Sequence, residues 1–150
     1  MTFDRGKSFD ELALGEEAAF SKTITETDVV LFAGLSGDFN PIHMDGEYAK
    51  QTPFKRRIAH GALSHSLVAP VLGMKLPGPG TIVVEIRCRF KAPTYFGDTI
   101  TAKATVAEKL PGKKRVRMAL TWTNQLGETI ADGEALVIPP PAAPGLMFSG

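Results

Sequence analysis

Asp38, Asn40 and His43 bring a carboxylate, an amide and an imidazole together in the run Ser36-Gly37-Asp38-Phe39-Asn40-Pro41-Ile42-His43. Asp and His are the usual partners in general acid/base chemistry, because burial and mutual charge tune their pKa values to either side of neutral pH. Asn40 adds a donor and an acceptor with which to fix a water or a neighbouring side chain. A regular helix through the run is excluded, since Pro41 lacks the N–H a helix uses and biases Asn40 away from helical geometry. Helical neighbours lie three or four positions apart, so a pair with the spacing of Asp38 and His43 must meet across a turn. The competing reading is a plain turn, for which Asp, Asn, Gly and Pro are ordinary residues. His43 is what sets the run apart from one.

The segments on either side must position these groups. Residues 18 to 25 carry a short strand pattern, and Thr25-Glu26-Thr27-Asp28 then resembles a helix start with early acidic residues. That helix is expected to run to about Leu35, with Gly37 as a left-handed stop that delivers the chain into Asp38. A helical turn from Asp45 to Lys50 follows, and Thr52-Pro53 interrupts it. From Gly61 to Gly73 apolar or small residues occupy nearly every side, which predicts a buried central helix. Pro70 must kink or end it, because an interior proline costs about 3 kcal/mol.

Beyond the Pro/Gly stretch Leu76 to Gly80 the period changes to two, with Ile82, Val84, Ile86, Cys88 and Phe90 on one face. Three more alternating runs follow: Ile100-Ala102-Ala104-Val106, Val116-Met118-Leu120-Trp122 and Ala131-Gly133-Ala135-Val137. Short turns separate them, which implies an antiparallel sheet. One buried helix followed by a curved meander predicts an α+β fold, the sheet wrapped around the helix with its outer face wet. A single domain is expected over residues 1–138, followed by a Pro-rich flexible tail at 139–150 that could also pack as an arm on a partner subunit.

Composition narrows the function classes. The 43% hydrophobic content and formal net charge of +1 suit a globular domain and give no bulk attraction to nucleic acid. No run approaches the length that spans a bilayer and no apolar signal region is visible at the start, so the expectation is a cytosolic protein without membrane insertion. Cys88 is the only cysteine, which excludes an internal disulfide. Its place on the apolar face of a predicted strand favours a buried structural thiol over a nucleophile. His43, His60 and His65 could join Asp38 around zinc, but they lack a strong ligand spacing, so no metal is expected.

With these elements placed, the chain resembles the MaoC-like (R)-specific enoyl-CoA hydratases, a hot-dog-fold family. The residues that carry the resemblance are Gly37-Asp38-Phe39-Asn40-Pro41-Ile42-His43 with Ala49 at a small position, the lead-in Phe32-Ala33-Gly34-Leu35-Ser36, His60-Gly61-Ala62-Leu63, and Phe90-Lys91-Ala92-Pro93-Thr94-Tyr95-Phe96-Gly97-Asp98. It extends over residues 10 to 138. The resemblance implies reversible syn addition of water to a trans-2-enoyl-CoA, giving the (R)-3-hydroxyacyl-CoA, with no cofactor beyond the coenzyme A of the substrate. In that scheme His43 takes the water proton, Asp38 carries or returns the proton to the α-carbon, and Asn40 helps fix the water. The two proton-transfer roles could also be exchanged or shared.

The negative charge that gathers on the thioester oxygen calls for a fixed donor, for which the Gly61 N–H is the candidate; tight helix packing is the other reading of this glycine. His60 is assigned a structural role at the helix start, and His65 a place as a satisfied core histidine. Arg56 and Arg57 are candidates for the CoA phosphates, ahead of Lys113-Lys114-Arg115 with Arg117. The family implies a homodimer joined edge to edge, with an apolar acyl tunnel shaped by the central helix and its partner. One departure stands out: many relatives carry a serine eight residues after the His-Gly glycine, where this chain has Ala69. The rival functions are a 3-hydroxyacyl dehydratase or a thioesterase on the same fold, and a non-catalytic acyl-CoA-binding domain.

Overall fold

The computed structural model describes residues 4–142. Strand β1 (Glu17–Thr23) leads into helix α1 (Glu26–Ser36), whose start is held by a reciprocal cap. The Thr25 hydroxyl accepts from the Asp28 N–H at 3.1 Å, and the Asp28 carboxylate accepts from the Thr25 N–H at 2.9 Å. Gly37 ends the helix with φ of 82°, its N–H reaching the Ala33 carbonyl. Both ends therefore form as the residue types predict, and Asp38 leaves α1 at a defined angle.

Two short helices follow, α2 (Pro41–Met44) and α3 (Gly46–Lys50). The first corrects the expectation of a bare turn. Proline excludes a helix only in its interior; at the first helical position its missing N–H is not needed. Pro41 takes that position, with Asn40 as the cap.

The central helix begins as α4 (Gly61–Ser66), breaks at Leu67, and resumes as α5 (Val68–Pro70) before widening into a π-helical turn over Val71–Lys75. Pro70 offers no N–H to the Ser66 carbonyl, and the Leu67 N–H tightens back onto the Ser64 carbonyl at 3.2 Å. Farther on, the Leu76 N–H reaches the Val71 carbonyl at 2.8 Å, a five-residue step. The expected kink is present, and the chain remains helical through it. The helix is not buried on all sides. Leu63, Ser64, Leu67, Val68, Val71 and Leu72 are buried, whereas Ala62, Ser66 and Ala69 form an open face of small residues.

Strands β2 (Ile82–Phe90), β3 (Thr99–Leu110), β4 (Arg115–Thr123) and β5 (Thr129–Ile138) join β1 in a five-stranded antiparallel sheet of order β1-β3-β4-β5-β2. The middle strand carries the large side chains and its neighbours the small ones. Trp122 lies opposite Ala102 on β3 and Ala131 on β5, and Leu120 lies opposite Ala104 and Gly133. Trp122 and Leu120 consequently bury almost completely against the central helix, which fills the concave side.

Strand β2 departs from the prediction of one inward apolar face. It is an edge strand paired only with β5, with a register shift between Val83 and Glu85. Ile82 is 60% exposed and Phe90 53% exposed, with Val83 and Val84 also open. Cys88 is half-buried, and burial, helped by the Asp132 carboxylate, pushes its thiol up; it is no activated nucleophile. The tail also begins differently from expectation. Pro139 and Pro140 are buried, with Pro140 against Gly80, so the packed body extends past residue 138. Residues 143–150 of the expected tail lie outside the described residues. Among the described residues no helix is long and apolar enough to cross a membrane.

Candidate active site

The loop between α1 and α2 sets the acid/base pair. The Asp38 carboxylate accepts from the Asn40 N–H at 3.1 Å, and the Asn40 side-chain oxygen accepts from the Ile42 N–H at 3.2 Å. His43 thus sits on the first turn of α2, and its Nε2 lies 4.0 Å from Asp38 Oδ2. The carboxylate side chain is 51% exposed and the imidazole 10%, so one partner faces solvent while the other is walled in. Asn40 spends its oxygen on the cap, which leaves its NH2 as the group that can reach a water. Ala49, at the small position of the motif, is fully buried beneath.

His43 is gripped by residues 57 and 58. Its Nδ1 lies 2.7 Å from the Ile58 carbonyl. A carbonyl only accepts, so Nδ1 carries the proton and Nε2 presents its lone pair toward Asp38. Burial pushes the His43 pKa down, with His60 adding to that, against the opposing pull of the Ile58 carbonyl and Asp38. The result is a neutral imidazole with a bare Nε2, the form a general base requires. The carbonyl is itself placed by a bridge from Ile58 to Tyr95 and by the Ala59 N–H donating to Thr94 at 2.8 Å.

Arg57 is tied into the fold around His43. Its Nε donates to the His43 carbonyl at 2.6 Å, its Nη1 to Glu26 at 2.6 Å, and its guanidinium rests over Phe96. It braces the α2 turn against the start of α1, and its side chain also lines the cavity that Arg56 borders. Arg56 points outward over the Tyr95 ring at 3.8 Å, and with Lys50 and Lys55 borders a cavity of about 280 Å³. Of the second basic cluster, Arg117 is paired with Glu108 and Glu134 on the sheet.

His60 and Gly61 close the site from the other side. His60 is 2% exposed, its Nε2 donates to the Asp38 carbonyl at 2.9 Å, and its ring stacks on His43 with centroids 3.9 Å apart. Gly61 opens α4, where the first N–H groups have no carbonyl a turn earlier to bond. A Cβ at Gly61 would lie 2.9 Å from Phe90 Cζ, the tip of a half-exposed ring, so both the packing and the donor readings of this glycine fit. Beside Gly61 opens a cavity of about 380 Å³ walled by Phe54, Ile58, Phe90 and Ile130, with the Ser64–Thr94 hydroxyl pair in its lining. A larger opening of about 460 Å³, among Arg87, Arg89, Asp132 and Glu134, contains none of the acid/base groups.

One ligand atom each from Asp38, His43 and His60 could come within 4.8 Å of one another. The two imidazoles are tilted by 31° with their centroids 3.9 Å apart, and His60 Nε2 is engaged with the Asp38 carbonyl. His65 lies apart from this group, half-buried with its ring 5.5 Å from Trp122. Ala69 is on the open face of the central helix. The groups the sequence reading missed were the Ile58 carbonyl, which has no side-chain signature, and the Arg57 brace; the adjacency of Arg57 to Ile58 and His60 was the one available hint.

An antiparallel sheet packed around a central helix, with Asp38 and His43 facing each other between α1 and that helix, defines a hot-dog-fold domain whose site carries a carboxylate and an imidazole able to exchange protons. The MaoC like domain matches residues 11–126, and the chain belongs to that family. It is 48% identical to the (R)-specific enoyl-CoA hydratase of Rhodospirillum rubrum, over 88% of this chain and 91% of that protein. It is 43% identical to the 3-hydroxybutyryl-CoA dehydratase of Methylorubrum extorquens, over 86% of this chain and 82% of the relative. The unliganded R-hydratase PhaJ1 of Pseudomonas aeruginosa superposes with a TM-score of 0.86 at 44% identity, covering 91% of this chain and 88% of that one.

Proposed function

We propose that this protein is an (R)-specific enoyl-CoA hydratase that adds water reversibly to a trans-2-enoyl-CoA. The observation that carries the reading is the fixed tautomer of His43: Nδ1–H on the Ile58 carbonyl at 2.7 Å, bare Nε2 4.0 Å from Asp38. A water held between Nε2, the Asp38 carboxylate and the Asn40 NH2 loses a proton to His43 as its oxygen bonds to the β-carbon. Electron density moves onto the thioester oxygen, where the Gly61 N–H is the donor. The new β-hydroxyl, in the place of the water between them, passes the proton from His43 to Asp38, which gives it to the α-carbon, so both proton carriers end as they began and one water has been added. The reverse sequence is the dehydration for which the Methylorubrum extorquens relative is named.

The substrate brings its coenzyme A, and no further cofactor takes part. Arg56, with Lys50 and Lys55, is the candidate contact for the CoA phosphates. The apolar cavity beside Gly61 has room for part of the thioester. A homodimer is supported by the open apolar edge of β2, because a second copy pairing there would cover Ile82, Val83, Val84 and Phe90. The reading includes a cytoplasmic location, which a water-soluble CoA thioester substrate supports.

The test is loss of enoyl-thioester absorbance on incubation with crotonyl-CoA, followed by chiral analysis of the product. Formation of (R)-3-hydroxybutyryl-CoA is expected. Release of free CoA, or the (S) product, refutes the assignment.

A further inference from the structure

Resting on the hydratase reading, we propose that His60 is a positioning residue for the reaction, holding Asp38 by its ring N–H and His43 by its ring face. The two proton carriers belong to different elements: Asp38 follows α1, and His43 sits on α2. Their direct separation is 4.0 Å, too long for a hydrogen bond, so something else must keep them in register. His60 touches both. Its Nε2 donates to the Asp38 carbonyl at 2.9 Å. One face lies on His43 at 3.9 Å, and the Phe32 ring from α1 is 4.9 Å away. Because the next residue is Gly61, the same side chain also ties the proton carriers to the N–H assigned to the thioester oxygen.

The arrangement has a cost that points to a function. With Nε2 donating, Nδ1 is left over, and that atom is buried with no hydrogen-bond partner among the described residues. An unpaired buried polar atom is a cost that packing alone would avoid with a phenylalanine. The second ring also bears on His43, since like charges 3.9 Å apart would repel and so disfavour the charged form of His43. The remaining charged groups around His43 are Asp38 and the Arg57 guanidinium on its carbonyl, itself paired with Glu26. The lowering of the His43 pKa, first by burial and also by His60, agrees with this role.

Three measurements on the full-length protein test it. In the wild type, ¹⁵N shifts of His60 are expected to report the Nε2-protonated tautomer; an Nδ1-protonated tautomer overturns the proposal. His60→Phe keeps the stacked ring and loses the donor, and His60→Gln keeps an amide donor and loses the ring. Both are expected to lower kcat for crotonyl-CoA about tenfold or more with KM within about twofold, the pattern of an interaction used in the transition state. Both are also expected to raise the His43 NMR titration midpoint. Wild-type kcat in both variants, or a lost kcat with the midpoint unmoved, overturns it. A wild-type protein that hydrates no enoyl-CoA refutes the hydratase reading instead, while the tautomer and midpoint still decide the placement of His60.

Discussion

Replacing His43 by Asn and, separately, by Gln isolates the chemistry of this ring from its structural bond. The Asn amide nitrogen falls near the place of the imidazole Nδ1 and can donate to the Ile58 carbonyl, the 2.7 Å contact that fixes the ring. It leaves nothing at the position of Nε2, where the water proton must go. The Gln amide reaches the Nε2 position but abandons the Ile58 carbonyl. On the scheme above both variants lose the base and should fall at least about 100-fold in kcat, which at 1.36 kcal/mol per tenfold is about 2.7 kcal/mol of transition-state stabilisation. Their stabilities should differ. An unpaired, part-buried carbonyl costs about 1–3 kcal/mol, so His43→Gln should unfold at lower urea than His43→Asn, which should stay within about 1 kcal/mol of the wild type. Hydration of crotonyl-CoA gives the first quantity and urea unfolding the second. A His43→Asn enzyme within about threefold of wild-type kcat would falsify the general-base assignment outright. Equal stability of the two variants would refute the idea that Ile58 sets the tautomer.

Other expectations follow from the same geometry. With His43 and His65 held below the ordinary histidine value by burial, the unfolded chain binds more protons than the native one as pH falls through and below about 6.5. Stability should therefore be complete above that value and decline below it, and kcat/KM should fall on an acid limb lying below pH of about 6.5; a limb above that value contradicts the neutral-base reading. Ala102→Leu, directly opposite Trp122, should cost about 1–3 kcal/mol in denaturant unfolding through overpacking, and an unchanged midpoint refutes the small-beside-large account of the sheet. Arg56→Ala should raise KM for crotonyl-CoA about tenfold but leave crotonyl-pantetheine unaffected, whereas Arg57→Ala should lower kcat with either substrate. If Arg56→Ala affects both substrates alike, the guanidinium is not reading the phosphates.

Much of this architecture is local in origin and so was legible in the chain. The Thr25/Asp28 cap and the Gly37 stop depend on residues within one helical turn, which is why α1 forms where its end signals stand. The alternation in β3, β4 and β5 survives because those strands are covered on one face by the helix. The same pattern misleads in β2. Alternation states which side chains share a face, but whether that face is covered depends on where the strand lies in the sheet, and β2 lies at its edge. Pro41 shows a second kind of ambiguity, since one residue type both forbids a helix interior and favours a helix start.

The residue types and spacing of Asp38, Asn40 and His43 suggest an acid/base pair beside the reading of a plain turn, because side-chain chemistry travels with the sequence. Which nitrogen of His43 is bare is a different matter. It is decided by the Ile58 carbonyl, 15 residues away, and a backbone carbonyl is the same group in every residue until the fold aims it. The bond of Arg57 to the His43 carbonyl, and the contacts of His60 with the His43 ring and the Asp38 carbonyl, likewise exist only once α1, α2 and the start of α4 are packed together. The sequence supplies the reactive groups, and the tertiary structure supplies their protonation state and their register, because both depend on partners that only packing brings within hydrogen-bond range.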